Sequence, residues 1–470
     1  MDDLTVAILS IAALFVLVIA GVHIGFALII TTLVGMIIIT STDIATNVLA
    51  STSYSGVRDY VFAVVPLFIL MGAFMTNCRA AQSLYAAVNL VFTGLRGGLA
   101  VATVYANAIF AAVTGVSVAS AAVFSTIAYP EMHRYGYSKR LALGSVAGSS
   151  VLGMLIPPSL LMILYGILTQ VSIGDLFIAG LIPGLLLAFL YSVGIVIVGY
   201  VRPRMVGIGV DTSQIEPLRE ASSSRRRPAK ATELRQEGVA TVKLEAERVA
   251  EQPSFVRAMA GSLPIIGLIA VVIGGIWGGI FSPTEASAVG AVGALAIAPF
   301  MGMDWGRFLG SFTQTAVSTG AILFLLIAAQ MYSRMLATSG MVARVGQFIS
   351  GLEVSELAII VLFVLILVLM GAILDSSSII LLAVPLMFPS IQLLGVDPLW
   401  FGIVLIVAVE IGLLTPPFGM VPFAMSAVLG RRASVDDIFL GSLPFLVIMA
   451  VFLVLIVAFP ALSTWLPGVL

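Results

Sequence analysis

Gly153-Met154-Leu155-Ile156-Pro157-Pro158 returns 259 residues later as Gly412-Leu413-Leu414-Thr415-Pro416-Pro417. Both copies of this Gly-x-x-x-Pro-Pro pattern lie deep inside long apolar runs. A proline pair removes two backbone donors and pushes the preceding residue out of helical geometry, so a helix must break there. The break frees carbonyls on one side and amides on the other. In lipid such orphaned groups are costly, so each break must face a cavity or the protein interior. Carbonyls at the C-terminus of a half-helix suit a hard cation such as Na⁺, and amides at an N-terminus suit a carboxylate.

Further landmarks repeat in the same order. Pro130 and Pro389, each at the end of a long apolar segment, are also 259 residues apart. Ser172-Ile173-Gly174-Asp175-Leu176-Phe177 resembles Ser434-Val435-Asp436-Asp437-Ile438-Phe439 at an offset of 262. The chain therefore contains an internal repeat, the usual origin of symmetric transporter folds.

The surrounding composition fits a bilayer. Of 470 residues, 60% are hydrophobic and 10% charged, against about 25% charged in a soluble domain. A water-soluble enzyme and a disordered chain are both excluded. A single cysteine, Cys78, excludes an internal disulfide, and two histidines, His23 and His133, do not make a zinc hydrolase. No basic face interleaved with aromatics exists for nucleic acid, no catalytic constellation marks an enzyme, and no filter sequence marks a channel. The acidic start Met1-Asp2-Asp3 lacks the basic region of a cleavable leader, so the first apolar segment is expected to stay as a span.

The expected fold is an all-α polytopic membrane protein. Spans of about 20 apolar residues are read near 4–21, 24–41, 60–78, 140–170, 175–201, 258–281, 284–302, 311–338, 398–429 and 436–466. Segments 98–130 and 355–394 are too long for one span and carry small polar residues midway, so they are read as re-entrant helical hairpins. The expected units are N-terminal scaffold helices over 1–59, a first repeat over 60–202 with hairpin 98–130 and broken helix 140–170, and a polar linker over 203–257. Scaffold helices over 258–310 and a second repeat over 311–470, with hairpin 355–394 and broken helix 398–429, complete the chain. Amphipathic arms near 79–97 and 340–352 are expected in the membrane plane.

Charge sets the orientation. Of the 45 charged residues, 19 fall between Arg202 and Arg257, which places the 203–257 linker in the cytoplasm. The first hairpin then opens inward beside Arg96, His133 and Arg134. Arg431 and Arg432 fall inside, so the second hairpin opens outward and the repeat is inverted. Both termini come out periplasmic.

The hairpin tips are polar: Thr114-Gly115-Val116-Ser117-Val118-Ala119-Ser120 and Leu374-Asp375-Ser376-Ser377-Ser378. Asp375 reads as an ion- or substrate-coupling carboxylate, because a charge inside the membrane is expensive. Glu410 reads equally as a functional carboxylate or half of a buried structural pair. Glu285, after Ser282-Pro283-Thr284, reads as part of a helix cap.

Ile156-Pro157-Pro158-Ser159 with Tyr165-Gly166, Ser282-Pro283-Thr284-Glu285-Ala286, and Glu410-Ile411-Gly412-Leu413-Leu414-Thr415-Pro416-Pro417 together resemble the large membrane subunit of the tripartite ATP-independent periplasmic (TRAP) transporters. The resemblance runs in order over nearly the whole chain. It departs at the long linker and at Met420-Val421-Pro422, where the family commonly has an Asn. It implies a secondary transporter in the bacterial inner membrane, similar in fold to the broader ion-transporter superfamily, whose hairpin domain moves as an elevator against a scaffold. It also implies import of an organic acid driven by Na⁺, with no other cofactor. A periplasmic binding protein would deliver the substrate, and a small four-helix membrane subunit is expected as a separate chain. The competing expectation is a stand-alone Na⁺/carboxylate symporter of the same superfamily.

Two Na⁺ sites are expected where each tip meets its broken helix. One uses Gly115, Val116 and Ser117 with Gly153 and Ile156. The other uses Leu374, Asp375 and Ser376 with Gly412 and Thr415. The substrate carboxylate is expected between the tips, at Ser117, Ser159, Ser377 and Thr415 and at the amides following Pro158 and Pro417.

Overall fold

The computed structural model describes residues 2–210, 255–341, 344 and 355–469. They form α-helices joined by short loops and 3-10 turns, and one isolated antiparallel bridge pairs Tyr137 with Val206. Helices α1 (Asp3–Ile19), α2 (Ile24–Ile39) and α3 (Thr42–Arg58) lead into α4 (Val64–Thr76) and α5 (Ala80–Val91). The first hairpin is α6 (Gly98–Thr114) and α7 (Ser117–Arg134). The first broken helix is α8 (Lys139–Ser150), α9 (Leu152–Leu155) and α10 (Leu160–Thr169), followed by α11 (Ile173–Val201). Beyond the linker stand α12 (Phe255–Trp277), α13 (Pro283–Ile297) and α14 (Trp305–Thr338). The second hairpin is α15 (Glu356–Gly371) and α16 (Ser376–Leu393), and the second broken helix is α17 (Pro398–Leu414) and α18 (Met420–Leu429). Helices α19 (Val435–Ala458) and α20 (Ala461–Thr464) close the chain.

Capping residues start many of these helices, because the first amides of a helix need an acceptor. Ser172 accepts from Asp175 N at 3.2 Å to open α11, and Ser434 accepts from Asp437 N at 3.2 Å to open α19. The two repeats thus share even their caps. Ser282 and Glu285 form a reciprocal capping box at the start of α13, so Glu285 has the structural role read from the sequence.

The repeat is inverted. At the linker end, Arg96 lies over the Tyr200 ring at 4.7 Å, and Ser138 N donates to Met205 O at 2.9 Å. The first hairpin therefore opens beside the start of the linker. Lys139, at the start of α8, pairs with Asp437 at 2.7 Å, so α19 begins at this same end. At the opposite end, the Tyr165 hydroxyl of α10 donates to Pro398 O at 2.8 Å, where the second hairpin hands over to α17. The second hairpin opens there.

Helices α1 to α5 and α12 to α14 pack mainly on one another, with α14 against α2, α3 and α4, and α13 against α4. The hairpins and broken helices form the other body, where α8 lies against α19 and α15 against α17. Contact between the bodies runs through α4 and α5 on α6 and through α14 on α16. Val16, Ile19, Phe26, Phe300, Leu369 and Val454 are exposed, an apolar exterior that suits hydrocarbon rather than water. Among the described residues, seven helical stretches are long and apolar enough to cross a membrane, and the bent pair α3–α4 makes eight.

Several boundaries differ from the sequence reading. Helix α3 lies in a stretch read without a span, and α14 begins at Trp305 rather than 311, opened by Asp304 accepting from Arg307 N at 2.8 Å. The 436–466 segment ends at Ala458, where Phe459-Pro460 interrupts it. The linker's first residues fold as a 3-10 turn over Pro203–Met205, and α12 takes in 255–257. Residues 211–254 and most of the 340–352 arm lie outside the described residues. The 79–97 arm contains α5, whose Leu84 and Tyr85 are buried.

Candidate functional site

At the first tip α6 ends on Gly115, whose φ of +62° is one that L side chains rarely adopt. A Cβ there would stand 3.2 Å from Pro158 O and 3.5 Å from Leu160 N. Glycine is what lets the tip touch the first break. A Cβ on Gly153 would come 3.0 Å from Ala111 Cβ and 3.8 Å from Ser117 N. The structure thus brings Gly115, Ser117, Gly153, Pro158 and Ser159 together. Ile156 is extended (φ −87°, ψ 125°), as a residue before proline should be, and its side chain packs on Gly184 of α11. Val116 is extended and half-buried at the N-cap of α7.

The hydroxyls at this tip are already engaged. Ser159 Oγ donates to Met154 O at 2.5 Å and accepts from Met162 N at 3.4 Å, bridging the break from both sides. Ser117 Oγ donates to Glu410 Oε2 at 2.8 Å. Deeper in the hairpin, Asn107 Nδ2 donates to Ser149 Oγ at 2.8 Å and Ser120 Oγ donates to Asn107 Oδ1, fastening both arms to α8. On the outer side the tip leans on α4, where a Cβ on Gly72 would lie 3.1 Å from Thr114 Cα.

The second tip meets the second break through Gly371 and Ala372. A Cβ on Gly371 would lie 2.7 Å from Gly412 Cα and 2.8 Å from Val409 O. Ala372 O accepts from Phe418 N at 3.2 Å. Thr415 Oγ1 donates to Ile411 O at 2.7 Å, and Thr415 N donates to Gly412 O at 2.9 Å. Both proline pairs, Pro157–Pro158 and Pro416–Pro417, are cis.

Asp375 caps α16: its Oδ2 accepts from Ser378 N at 3.0 Å and its Oδ1 from Ser378 Oγ at 2.5 Å. The side chain is exposed, whereas Ser376 is buried and Leu374 and Ser377 are half-buried. Asp375 therefore has a capping role beside the coupling role read from the sequence. Gly371, against α17, and Ala372, against Phe418 in the break, lie just ahead of the expected residues and make the contact.

The two breaks are unequal. Residues 151–160 are all buried, while Pro416, Pro417 and Phe418 are exposed.

Sequence reasoning left Glu410 open, and the structure places it at the join of the two repeats. It is 1% exposed, and Oε1 has no hydrogen-bond partner. Its link to Ser117 spans 293 residues of sequence, so no local pattern pointed to it; a carboxylate two residues before Gly412 was the available signal.

A separate cleft of about 790 Å³ opens at the end opposite the linker. It lies between α14 and α16, with Asp59, Gln170, Gln330, Ser333 and Arg334 on its walls. None of the expected site residues lines it. Among the described residues, no group of three His, Cys, Asp or Glu is placed to hold a metal.

The family profile described as "Tripartite ATP-independent periplasmic transporter, DctM component" matches residues 11–462. The chain is 33% identical over 417 residues to the C4-dicarboxylate TRAP transporter large permease protein DctM of Pseudomonas aeruginosa, covering 87% of each sequence. It is 26% identical to the sialic acid TRAP transporter large permease protein SiaM of Vibrio cholerae, covering 96% of each. In fold it is similar to the YdaH transporter of Alcanivorax borkumensis, with a TM-score of 0.60 at 13% identity, covering 90% of this chain and 89% of that one.

Proposed function

The chain belongs to the tripartite ATP-independent periplasmic transporter family as its DctM component, the large permease subunit, and from that membership we propose Na⁺-coupled, elevator-type import of an organic acid. As a member it is a multi-pass membrane transporter subunit that works with a substrate-binding protein. Its place is the bacterial inner membrane, with the linker cytoplasmic and both termini periplasmic. A small four-helix membrane subunit completes the permease, and a periplasmic binding protein hands over the acid.

The observation that carries this reading is the pairing of two hairpin tips with two proline breaks in inverted orientation. Half-helix ends leave carbonyls that favour a cation and amides that favour a carboxylate, at a depth where water is scarce. The Na⁺ sites lie at Gly115, Val116, Ser117, Gly153 and Ile156, and at Leu374, Asp375, Ser376, Gly412 and Thr415. The acid sits between the tips, near Ser117, Ser159, Ser377 and Thr415 and the amides beyond Pro158 and Pro417. The hydroxyl protons of Ser117 and Ser159 are committed within the chain, so Ser117 offers a lone pair to the cation, and backbone amides supply the donors that hold the acid. The hairpin body then slides along α4, α5 and α14 to change the side that is open.

Reconstitution in liposomes tests the reading. Uptake of a labelled C4-dicarboxylate or sugar acid is expected only with the small subunit, the loaded binding protein and an inward Na⁺ gradient together. Comparable uptake of free acid by this chain alone would favour a stand-alone symporter, and uptake indifferent to Na⁺ would remove the coupling.

A further inference from the structure

Glu410 lies in the last turns of α17, is 1% exposed, and belongs to the second repeat. Its Oε2 is held by Ser117 Oγ at 2.8 Å, from the first tip of the other repeat. Its Oε1 has no protein partner, and neither has the fully buried hydroxyl of Tyr191 on α11. Among the described residues, no ion pair brings a Lys, Arg or His to Glu410.

A buried carboxylate with half its acceptor capacity unused is costly unless a proton or a cation joins it. A purely structural latch would satisfy both oxygens, as buried polar groups generally are satisfied. Here the unused oxygen lies beside a tip where α6 ends. Gly115 N closes the last helical bond, to Ala111 O at 2.7 Å, and the carbonyls that follow have no intrahelical donor. Hard monovalent cations take oxygen ligands of these kinds, a carboxylate, a hydroxyl and backbone carbonyls.

The geometry points to Glu410 as the anionic ligand of a Na⁺-like cation seated against the first hairpin tip, reached across the repeat boundary with Ser117 as its positioning partner. This deepens the reading above, since it assigns a charge to the first cation site, which otherwise has only neutral ligands. It also links the two ends of the site. Glu410 is two residues from Gly412, which meets the second tip at Gly371, so one short stretch of α17 senses both tips.

The test is a thermal-shift titration of the purified full chain with NaCl, using choline chloride at equal ionic strength as the control. The wild type is expected to be stabilised saturably by NaCl over choline chloride. E410Q raises the half-saturating NaCl at least about tenfold, and S117A, which removes a neutral hydroxyl ligand and the hold on Glu410 but leaves the charge, raises it less, within about tenfold. K139A, remote from the tip, keeps the wild-type value. An unchanged half-saturation in a folded E410Q overturns the assignment, as does a wild type that responds equally to choline chloride. If E410Q elutes aggregated, E410D decides: it keeps the charge but withdraws it from the tip, so its half-saturating NaCl rises, and an unshifted, folded E410D overturns the assignment. Uptake is read separately in liposomes. Na⁺-independent uptake alongside a NaCl titration still shifted by E410Q would sink the coupling reading and leave the cation site standing.

Discussion

Gly371 and Gly412 meet backbone to backbone, so close that a Cβ on Gly371 would lie 2.7 Å from Gly412 Cα. The second hairpin and the second broken helix touch there without any side chain between them. Gly412→Ala puts a methyl group where Gly371 Cα and Val368 O already are. Overpacking of this kind costs about 1–3 kcal/mol. A lowered thermal midpoint and uptake reduced at least about tenfold, the rate equivalent of about 1.4 kcal/mol, are the expected results in detergent and in liposomes. Wild-type uptake would show that the tip stands off the break during transport.

Asp375 separates two roles that one alanine substitution would confuse. Its carboxylate caps α16 through Ser378, and Asn caps a helix about as well as Asp. Asp375→Asn therefore keeps the thermal midpoint while removing the charge. If Asp375 ligates Na⁺, half-saturating Na⁺ for uptake rises severalfold in this variant. Asp375→Ala loses about 1 kcal/mol of stability as well. A wild-type Na⁺ response in Asp375→Asn would reduce the residue to its capping role.

The pair between Lys139 and Asp437 ties the start of the first broken helix to the start of α19, with side chains 42% and 29% exposed. Exposed pairs contribute about 0–1 kcal/mol. Lys139→Ala is expected to leave uptake within about twofold of wild type, a change of under 1 kcal/mol. A severe loss would mean that this contact holds the hairpin body in register.

Orientation is read by cysteine labelling on a Cys78→Ala background. Ser223→Cys, in the part of the linker outside the described residues, is expected to resist a membrane-impermeant thiol reagent in intact cells. Gln392→Cys, exposed at the base of the second hairpin, is expected to react. The reverse pattern would turn the whole topology over.

The hairpins and the broken helices were legible because their determinants are local. Proline pairs, glycines and small polar tips act within a few residues of where they stand. Helix α3 was missed for the complementary reason: Thr42–Arg58 is rich in Ser and Thr, and a search for apolar runs passes over it. Asp375 has a second role that the sequence reading did not name, although Asp followed three residues later by Ser378, whose amide donates to it, is a readable cap. The Ser117–Glu410 bond was beyond local reading, since only the tertiary fold brings the repeats together at that point.

The unequal breaks carry a consequence of their own. Two copies of one motif in opposite orientation would, if identical in surroundings, leave the carrier with no preference for either face. Here Ile156 to Ser159 are sealed while Pro416 to Phe418 are bare, so under the proposed elevator reading the degeneracy is lifted and one pose is favoured at rest. Phe418, 57% exposed, is then a handle specific to that pose. A single-domain antibody selected against it is expected to arrest turnover at one copy per carrier by stalling the return stroke. A labelled antibody released during active uptake would report the cycle in real time.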